Sequence, residues 1–256
     1  MFAQAQAYER FMGRWSRMLA DLFVPFAGLT HSQRVLDVGS GTGSLARAIV
    51  AAAPSAHVVG IDSSPGFVEY ASTELGGRAH FEVADAQRLP FADNVFDACC
   101  SILVLNFIAD QGKALAEMRR VTKDGGTIAA AVWDHAEGMH MLKLFWEVAD
   151  AVDPNKRIVE EPQPLLSRDG LVDLWRNAGF RDVKSEALTF DMRFESFADY
   201  WQPFELSQGP AGVYLSGVSP QVRDTIEREL RERLLDGTAD RPFTLSTRAW
   251  AVRGNV

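Results

Sequence analysis

Histidine and cysteine are scarce in this 256-residue chain, with five of the first and two of the second. The two cysteines, Cys99 and Cys100, are neighbours in FDACCSILVL. Adjacent cysteines do not reach the separation of a structural disulfide and offer no metal-ligand spacing. A disulfide framework and a cysteine metal site are therefore excluded, no metal is expected, and a reducing, cytoplasmic setting fits. Basic excess is missing too: 26 Lys and Arg against 34 Asp and Glu leave a net charge of −8. Sequence-independent nucleic-acid binding rests on clustered cations that displace counterions, so no nucleic-acid partner is expected. No run approaches the roughly eighteen apolar residues of a membrane-spanning helix. Glu9, Arg10, Arg14 and Arg17 interrupt the N-terminal segment where a secretory signal needs an unbroken apolar stretch. Internal repeats and low-complexity tracts are absent. With 47% hydrophobic residues, the chain has enough apolar side chain for one large domain with an appendage.

What is present is a rhythm. Phe11, Trp15, Met18, Leu19, Leu22 and Phe23 recur at helical spacing and predict an amphipathic helix over residues 1–25, ending near Pro25. RVLDVG then reads as a buried strand, GSLARAIVAAA as a helix stopped by Pro54, AHVVGID as a second strand and SPGFVEYASTEL as a helix capped by Ser64. AHFEVAD and VFDACCSILVL are strands three and four. KALAEMRRVT is a helix closed by KDGG, and GTIAAAVWD is a fifth strand. Apolar strands alternating with short helices belong to parallel α/β sheets covered on both faces. Beyond Trp133 the pattern changes to a helix at 138–150, a Pro-containing loop at 154–166 and a helix with Ser167 or Asp169 as its cap. A strand at RDVKSEALTF, an aromatic helix, a Gly-rich linker, a charged helix and a last strand, PFTLSTRAWAVRG, follow. The two late strands are expected to pair with each other at the sheet edge, and 134–165 and 195–238 to form cap or insertion segments of a single 1–256 domain.

The turn DVGSGTG carries the first functional signal. In an open parallel sheet the loop after the first strand lines the ligand crevice, and glycines there let a ligand approach the backbone. Gly39, Gly41 and Gly43 are spaced G-x-G-x-G, with Ser44 where a dinucleotide fingerprint places its third glycine. Asp37 sets a carboxylate just inside the turn, which would repel a pyrophosphate and suits a ligand that also carries a positive charge. Asp62 closes the second strand, where an acid accepts both hydroxyls of a ribose. Asp85, followed by the small Ala86, ends the third, where it can accept a hydrogen bond from an adenine amine.

VLDVGSGTG (35–43), GIDSSPGFVEYA (60–71), ADAQRLPFADNVFDAC (84–99) and EMRRVTKDGG (117–126) together resemble class I S-adenosylmethionine-dependent methyltransferases, in particular the small-molecule branch that includes the ubiquinone and menaquinone biosynthesis enzymes. The four segments stand in family order within residues 34–133. The resemblance implies a doubly wound, mostly parallel seven-stranded Rossmann-like sheet with a reversed final hairpin, and S-adenosylmethionine as cofactor. It implies that Asp37 and the turn Gly39, Ser40, Gly41 and Gly43 hold the methionine moiety, Asp62 with Ser63 the ribose, and Asp85 with Ala86 the adenine. Ser101, expected just after the fourth strand, would line the methionine end. The N-terminal segment closes over the cofactor in such proteins, which makes Tyr8 and Arg14 candidates for contact with cofactor or substrate. Relatives often carry histidines after the fourth strand, whereas this chain has Asn106 and Phe107, so no base is assigned there. His135 and His140, after the fifth strand, have no assigned role. The aromatic and Met residues at 139–146 read as cap packing. If they face the pocket, the methyl acceptor is apolar or aromatic. Two rival functions share these features: a cofactor-binding protein without turnover, and an NAD-dependent oxidoreductase, against which the glycine spacing and Asp37 count.

Overall fold

A computed structural model describes residues 2–31, 33–154, 167–207 and 209–256. Seven strands form one sheet: β1 (Arg34–Val38), β2 (His57–Asp62), β3 (His80–Val83), β4 (Phe96–Ile102), β5 (Thr122–Trp133), β6 (Arg181–Phe194) and β7 (Phe243–Asn255). Their order is β3-β2-β1-β4-β5-β7-β6. Pairings from β3 through β5 are parallel, and β7 runs antiparallel to β5 from Thr127↔Asn255 to Trp133↔Ala249. The order reverses between β1 and β4, which opens a crevice beyond the carboxyl ends of those strands. The two late strands are neighbours at the edge as expected, with β7 inserted beside β5 and β6 outermost.

The helices are α1 (Phe2–Tyr8), α2 (Arg14–Ala27), α3 (Ser44–Ala52), α4 (Pro65–Leu75), α5 (Gln111–Val121), α6 (His140–Val152), α7 (Arg168–Asn177), α8 (Phe197–Glu205), α9 (Gly209–Gly217) and α10 (Pro220–Leu235). The chain divides into two compact units. The first comprises the described residues of Met1–Trp133, Gln163–Leu188 and Ala249–Val256, the second those of Asp134–Pro162 and Thr189–Arg248. The boundary falls inside β6 and β7, so the second unit takes in strand residues as well as the expected insertions. The core of the first unit joins Leu36, Val38, Phe96, Cys99, Met118 and Ile128 to Leu171, Trp175 and Val252, all nearly or wholly excluded from solvent. Both cysteines are free and buried in β4. The second unit is held by aromatic rings: Phe145 stacks on Phe204 at 4.7 Å between centroids, and Phe194 on Phe243 at 5.3 Å.

The N-terminal helix ends near Pro25: α2 runs to Ala27, and Gly28, left-handed at φ 74°, terminates it by donating to the Pro25 and Val24 carbonyls. Pro25 sits in the last turn, where a helix tolerates it because packing on the sheet continues past it. Three other local expectations are corrected. The N-terminal segment is interrupted by a π-helical turn, Glu9–Gly13, where a Cβ on residue 13 would strike the Glu9 carboxylate that reaches back to Arg17. β5 begins at Thr122 rather than after KDGG, with a register shift opposite Phe96/Ala98 and Gly125 at φ 75° absorbing the extra residues. The Gly-rich linker is a helix, α9, because Ala211, Tyr214 and Leu215 are buried there and Tyr214 packs against Trp146 at 5.4 Å. Burial there overrides the low helix propensity of glycine. Ser167 caps α7 by accepting from Gly170 N–H at 3.1 Å. The Pro-containing loop lies, beyond Pro154, outside the described residues.

Candidate active site

A cavity of about 270 Å³ lies at the carboxyl ends of β1, β2 and β4 in the first unit. Its floor is the glycine turn, and that turn is knitted to β2. Gly39 and Ser40 N–H groups both donate to the Ile61 carbonyl at 2.8 Å, and Gly43 donates to Ser40. Gly41 N–H donates to Asp62 Oδ2 at 2.9 Å. A phosphate cradle needs such groups aimed at the ligand. Here they are already engaged, which gives a structural reason for the departure from the dinucleotide pattern.

The three glycines have different tasks. All are left-handed, at φ 73°, 52° and 86° for Gly39, Gly41 and Gly43. A Cβ on Gly39 would collide with the Val104 methyls, and one on Gly43 would come within 2.7 Å of Leu75 Cδ1. Only at Gly41 would a Cβ meet nothing within 4 Å. Two glycines thus make room for the protein's own side chains, and the third borders open space on the cavity lining.

Asp62 faces the cavity with both oxygens held. Oδ2 takes the Gly41 N–H and Oδ1 the Ser64 N–H at 2.8 Å. Each oxygen keeps a free lone pair, so the carboxylate is positioned to accept two further donors. Burial raises its pKa, and the Ser64 and Gly41 N–H groups pull it back. Asp37 is more extreme. It is 1% exposed and sits beneath the turn, behind the residues that line the cavity. Burial pushes its carboxyl up to about 7, opposed in part by the Ala46 N–H and helped by the charge of Asp62. Neither oxygen completes a hydrogen bond within the described residues, nor does the buried hydroxyl of Ser40. Unsatisfied buried polar atoms beside a cavity are the feature a polar, positively charged ligand would relieve. The residues present therefore fit a zwitterionic nucleoside such as S-adenosylmethionine.

The walls come from three further segments. Tyr8 and Ser16 close one side through a 3.1 Å hydrogen bond between their hydroxyls, with the Tyr8 ring edge-on to Phe67 at 5.8 Å. The Tyr8 pKa is raised, chiefly by burial. Ser63 lies next to Asp62 on the lining, and Thr42, Ser44 and Leu45 continue it from the turn into α3. At the end of β4 and just beyond it Ile102, Leu103, Val104 and Phe107 make an apolar wall. Leu103 is left-handed at φ 63°, with its N–H on the Ala131 carbonyl at 2.7 Å. This non-glycine strain turns the chain so that Phe107, 79% exposed, stands at the edge of the cavity.

Of the residues expected from sequence, the cavity lining unites Tyr8, Gly39, Ser40, Gly41, Asp62 and Ser63. Gly43 and Asp37 lie behind it. Arg14 is off the lining, its guanidinium 4.1 Å over the Trp15 ring. Asp85 lies beyond β3, where Oδ1 accepts from Gln87 N–H at 2.8 Å in a local turn; neither it nor Ala86 lines the cavity. Ser101 is corrected in position: β4 continues to Ile102, so Ser101 is inside the strand, fully buried, with an unpartnered hydroxyl. His140 belongs to the second unit, with Nδ1 2.7 Å from Ser246 Oγ. Sequence reasoning missed Ser16, Thr42, Ser44, Leu45, Phe67, Ile102, Leu103 and Val104 and gave Phe107 no place on the lining. Phe67 had a signal, since it stands in the first turn of the helix that follows Asp62; Leu103 and Val104 had none, because their strained turn is a tertiary effect.

Known proteins similar to this chain in sequence are methyltransferases. A family model described as a methyltransferase domain matches residues 36–130. The ubiquinone/menaquinone biosynthesis C-methyltransferase UbiE of Geobacter sp. (strain M21) is 32% identical over 193 residues, covering 69% of this chain and 80% of the relative. A malonyl-(acyl-carrier protein) O-methyltransferase of Geobacter sulfurreducens is 30% identical over 184 residues, covering 71% of this chain and 66% of the relative. Among solved structures, the YcgJ protein from Bacillus subtilis superposes with a TM-score of 0.56 at 19% identity, covering 93% and 97% of the two chains, a similarity of fold.

Proposed function

The chain belongs to the class I S-adenosylmethionine-dependent methyltransferases of the ubiquinone type and methylates a small molecule, and we propose that the cavity over Gly41 and Asp62 is where it does so. Asp62 accepts both ribose hydroxyls on the lone pairs its backbone partners leave free. Ser63 lies beside it. Asp37, made ionic by a ligand ammonium, offsets that charge together with Ser40, and Gly43 keeps α4 close enough to hold the turn. Asp85 and Ala86 receive the adenine beyond β3, Ser101 backs the methionine end from within β4, and Tyr8 with Ser16 closes the site. Arg14 supports that closure from α2. The observation that carries this reading is the Asp62 carboxylate, both oxygens fixed by turn N–H groups and facing the cavity.

When bound, S-adenosylmethionine supplies an activated methyl group on a sulfonium. The protein's task is alignment and exclusion of water for an in-line displacement. The titratable groups lining the cavity, among the described residues, are Asp62 and Tyr8. Asp62 is committed to backbone N–H groups, and Tyr8 bonds Ser16 with its pKa raised. Neither is a free base at neutral pH, which favours an acceptor that arrives ionised, such as a carboxylate, a phenolate or a quinolate that reacts at a ring carbon and then loses its ring proton to water. The apolar wall ending in Phe107 favours an apolar or aromatic one. Two buried free cysteines support a reducing, cytoplasmic location, and among the described residues no helix is long and apolar enough to cross a membrane. Transfer of labelled methyl to a panel of phenols, quinols and carboxylic acids tests the acceptor class, and labelling only of amines would overturn it. Calorimetry with S-adenosylhomocysteine tests the site, since unchanged affinity in Asp62→Ala removes the ribose assignment.

A further inference from the structure

The opposite ends of the same strands carry a second concavity of about 570 Å³, lined by the first residues of β1, β2 and β3 and by the turn after α4. Four basic side chains surround it: Arg34, His57, Arg78 and His80. Strand register explains their meeting. Arg34 pairs with His57, Val59 pairs with His80, and residues 57 and 59 share a face, so Arg34, His57 and His80 project from one side of the sheet within about 10 Å. Arg78 is brought to them by two consecutive left-handed glycines, Gly76 at φ 55° and Gly77 at φ 78°. Its Nε donates to the Leu75 carbonyl at 3.3 Å, which orients the guanidinium and leaves both terminal nitrogens free.

No ion pair reaches any of the four among the described residues, and no acid lines the groove. Outside the lining, Asp97 accepts the Arg34 N–H at 2.7 Å and is engaged by Lys123 Nζ at 2.6 Å; these hydrogen bonds, helped by the charges of Lys123 and Arg34, lower its pKa. In a chain of net charge −8, two arginines and two histidines around one groove with no acid in its lining are a concentrated exception; the Arg34 guanidinium also lies 5.4 Å from the centre of the Phe96 ring. The floor between them is small and apolar, from Ala56, Val59 and Ala79. Paired arginines suit a phosphate, whose oxygens accept their planar forks, and a concavity of this size suits a small molecule.

We propose that this groove binds a phosphate-bearing small molecule, with the phosphate on Arg34 and Arg78 and an apolar or ring portion on the strand ends. The site is separate from the methyl-transfer cavity and does not depend on how that cavity is assigned. The test is titration of inorganic pyrophosphate into the full chain saturated with S-adenosylhomocysteine, read by calorimetry and by backbone amide shifts. Saturable binding below about 1 mM is expected, with shifts at residues 56–59 and 77–80. The double variant Arg34→Ala/Arg78→Ala should weaken it at least about tenfold. Arg78→Glu, on an exposed turn, serves as a second variant, with circular dichroism checking that each is folded. Absence of binding up to about 10 mM would overturn the proposal, as would unchanged affinity in folded variants or shifts confined to residues 39–44. Equal binding of citrate would overturn the phosphate assignment.

Discussion

β1 and β2 begin on basic side chains and carry acids at their other ends. β1 begins at Arg34 and reaches Asp37 before its end; β2 begins at His57 and ends at Asp62. At the amino ends the charges are exposed, and water screens them. At the carboxyl ends they are buried, which raises the pKa of both acids and drives Asp37 to about 7. Burial gives the carboxyl end its discrimination, since a buried acid favours a ligand that brings a positive charge, whereas at the exposed amino end water screens charge and selectivity rests on the fork geometry of the arginines.

Four experiments would sharpen or break that contrast. The largest effect is expected from Asp62→Ala. It removes two charge-assisted hydrogen bonds, each worth about 1.5–3 kcal/mol, so S-adenosylhomocysteine affinity should fall by about 100-fold or more in calorimetry. Next come the glycines. Gly39→Ala drives a methyl into Val104 at a left-handed φ and should cost about 2–4 kcal/mol of stability in denaturant unfolding. Gly41→Ala meets only open space, so it should cost about 1 kcal/mol of stability while weakening ligand binding more than that. Equal behaviour of the two variants would erase the division of labour within the turn.

Asp37 gives a smaller, pH-dependent effect. Its folded-state pKa of about 7 lies above the ordinary 3.8, so the folded apo protein binds the extra proton between those values. Stability from this group is therefore present at low pH, falls as pH rises from about 4 to about 7, and stays low above that. Affinity for a ligand with an ammonium should rise through the same upper range. Asp37→Asn should flatten both slopes, measured by thermal unfolding and calorimetry from pH 5 to 8. The smallest effect is expected at the other end: Arg34→Ala should change S-adenosylhomocysteine affinity by less than about twofold, because exposed charges more than a Debye length away are screened.

Much of the fold was legible because its signals are local. Apolar strands at regular spacing and glycines at G-x-G-x-G need no distant partner to be recognised. The misread elements depend on distant contacts. α9 exists because Tyr214 finds Trp146 and Phe145, which a count of glycines between residues 209 and 217 does not reveal. In the site, Asp62 and the glycines were readable from their place at strand ends. Val104 and Phe107 were not, since they reach the cavity through the left-handed Leu103.

By itself the sequence determined the strand and helix rhythm of residues 34–133, the acids at the ends of β1 and β2, and the family to which these motifs point, because all of these rest on spacing along the chain. Only the tertiary structure decided what each part of the turn does. Val104 and Leu75 occupy the space left by two of its glycines, β2 consumes its N–H groups, and Asp37 is left buried without a partner. Those outcomes depend on atoms 30 or more residues apart in sequence for Leu75 and Val104, and side-chain packing at that separation is not written in any local pattern.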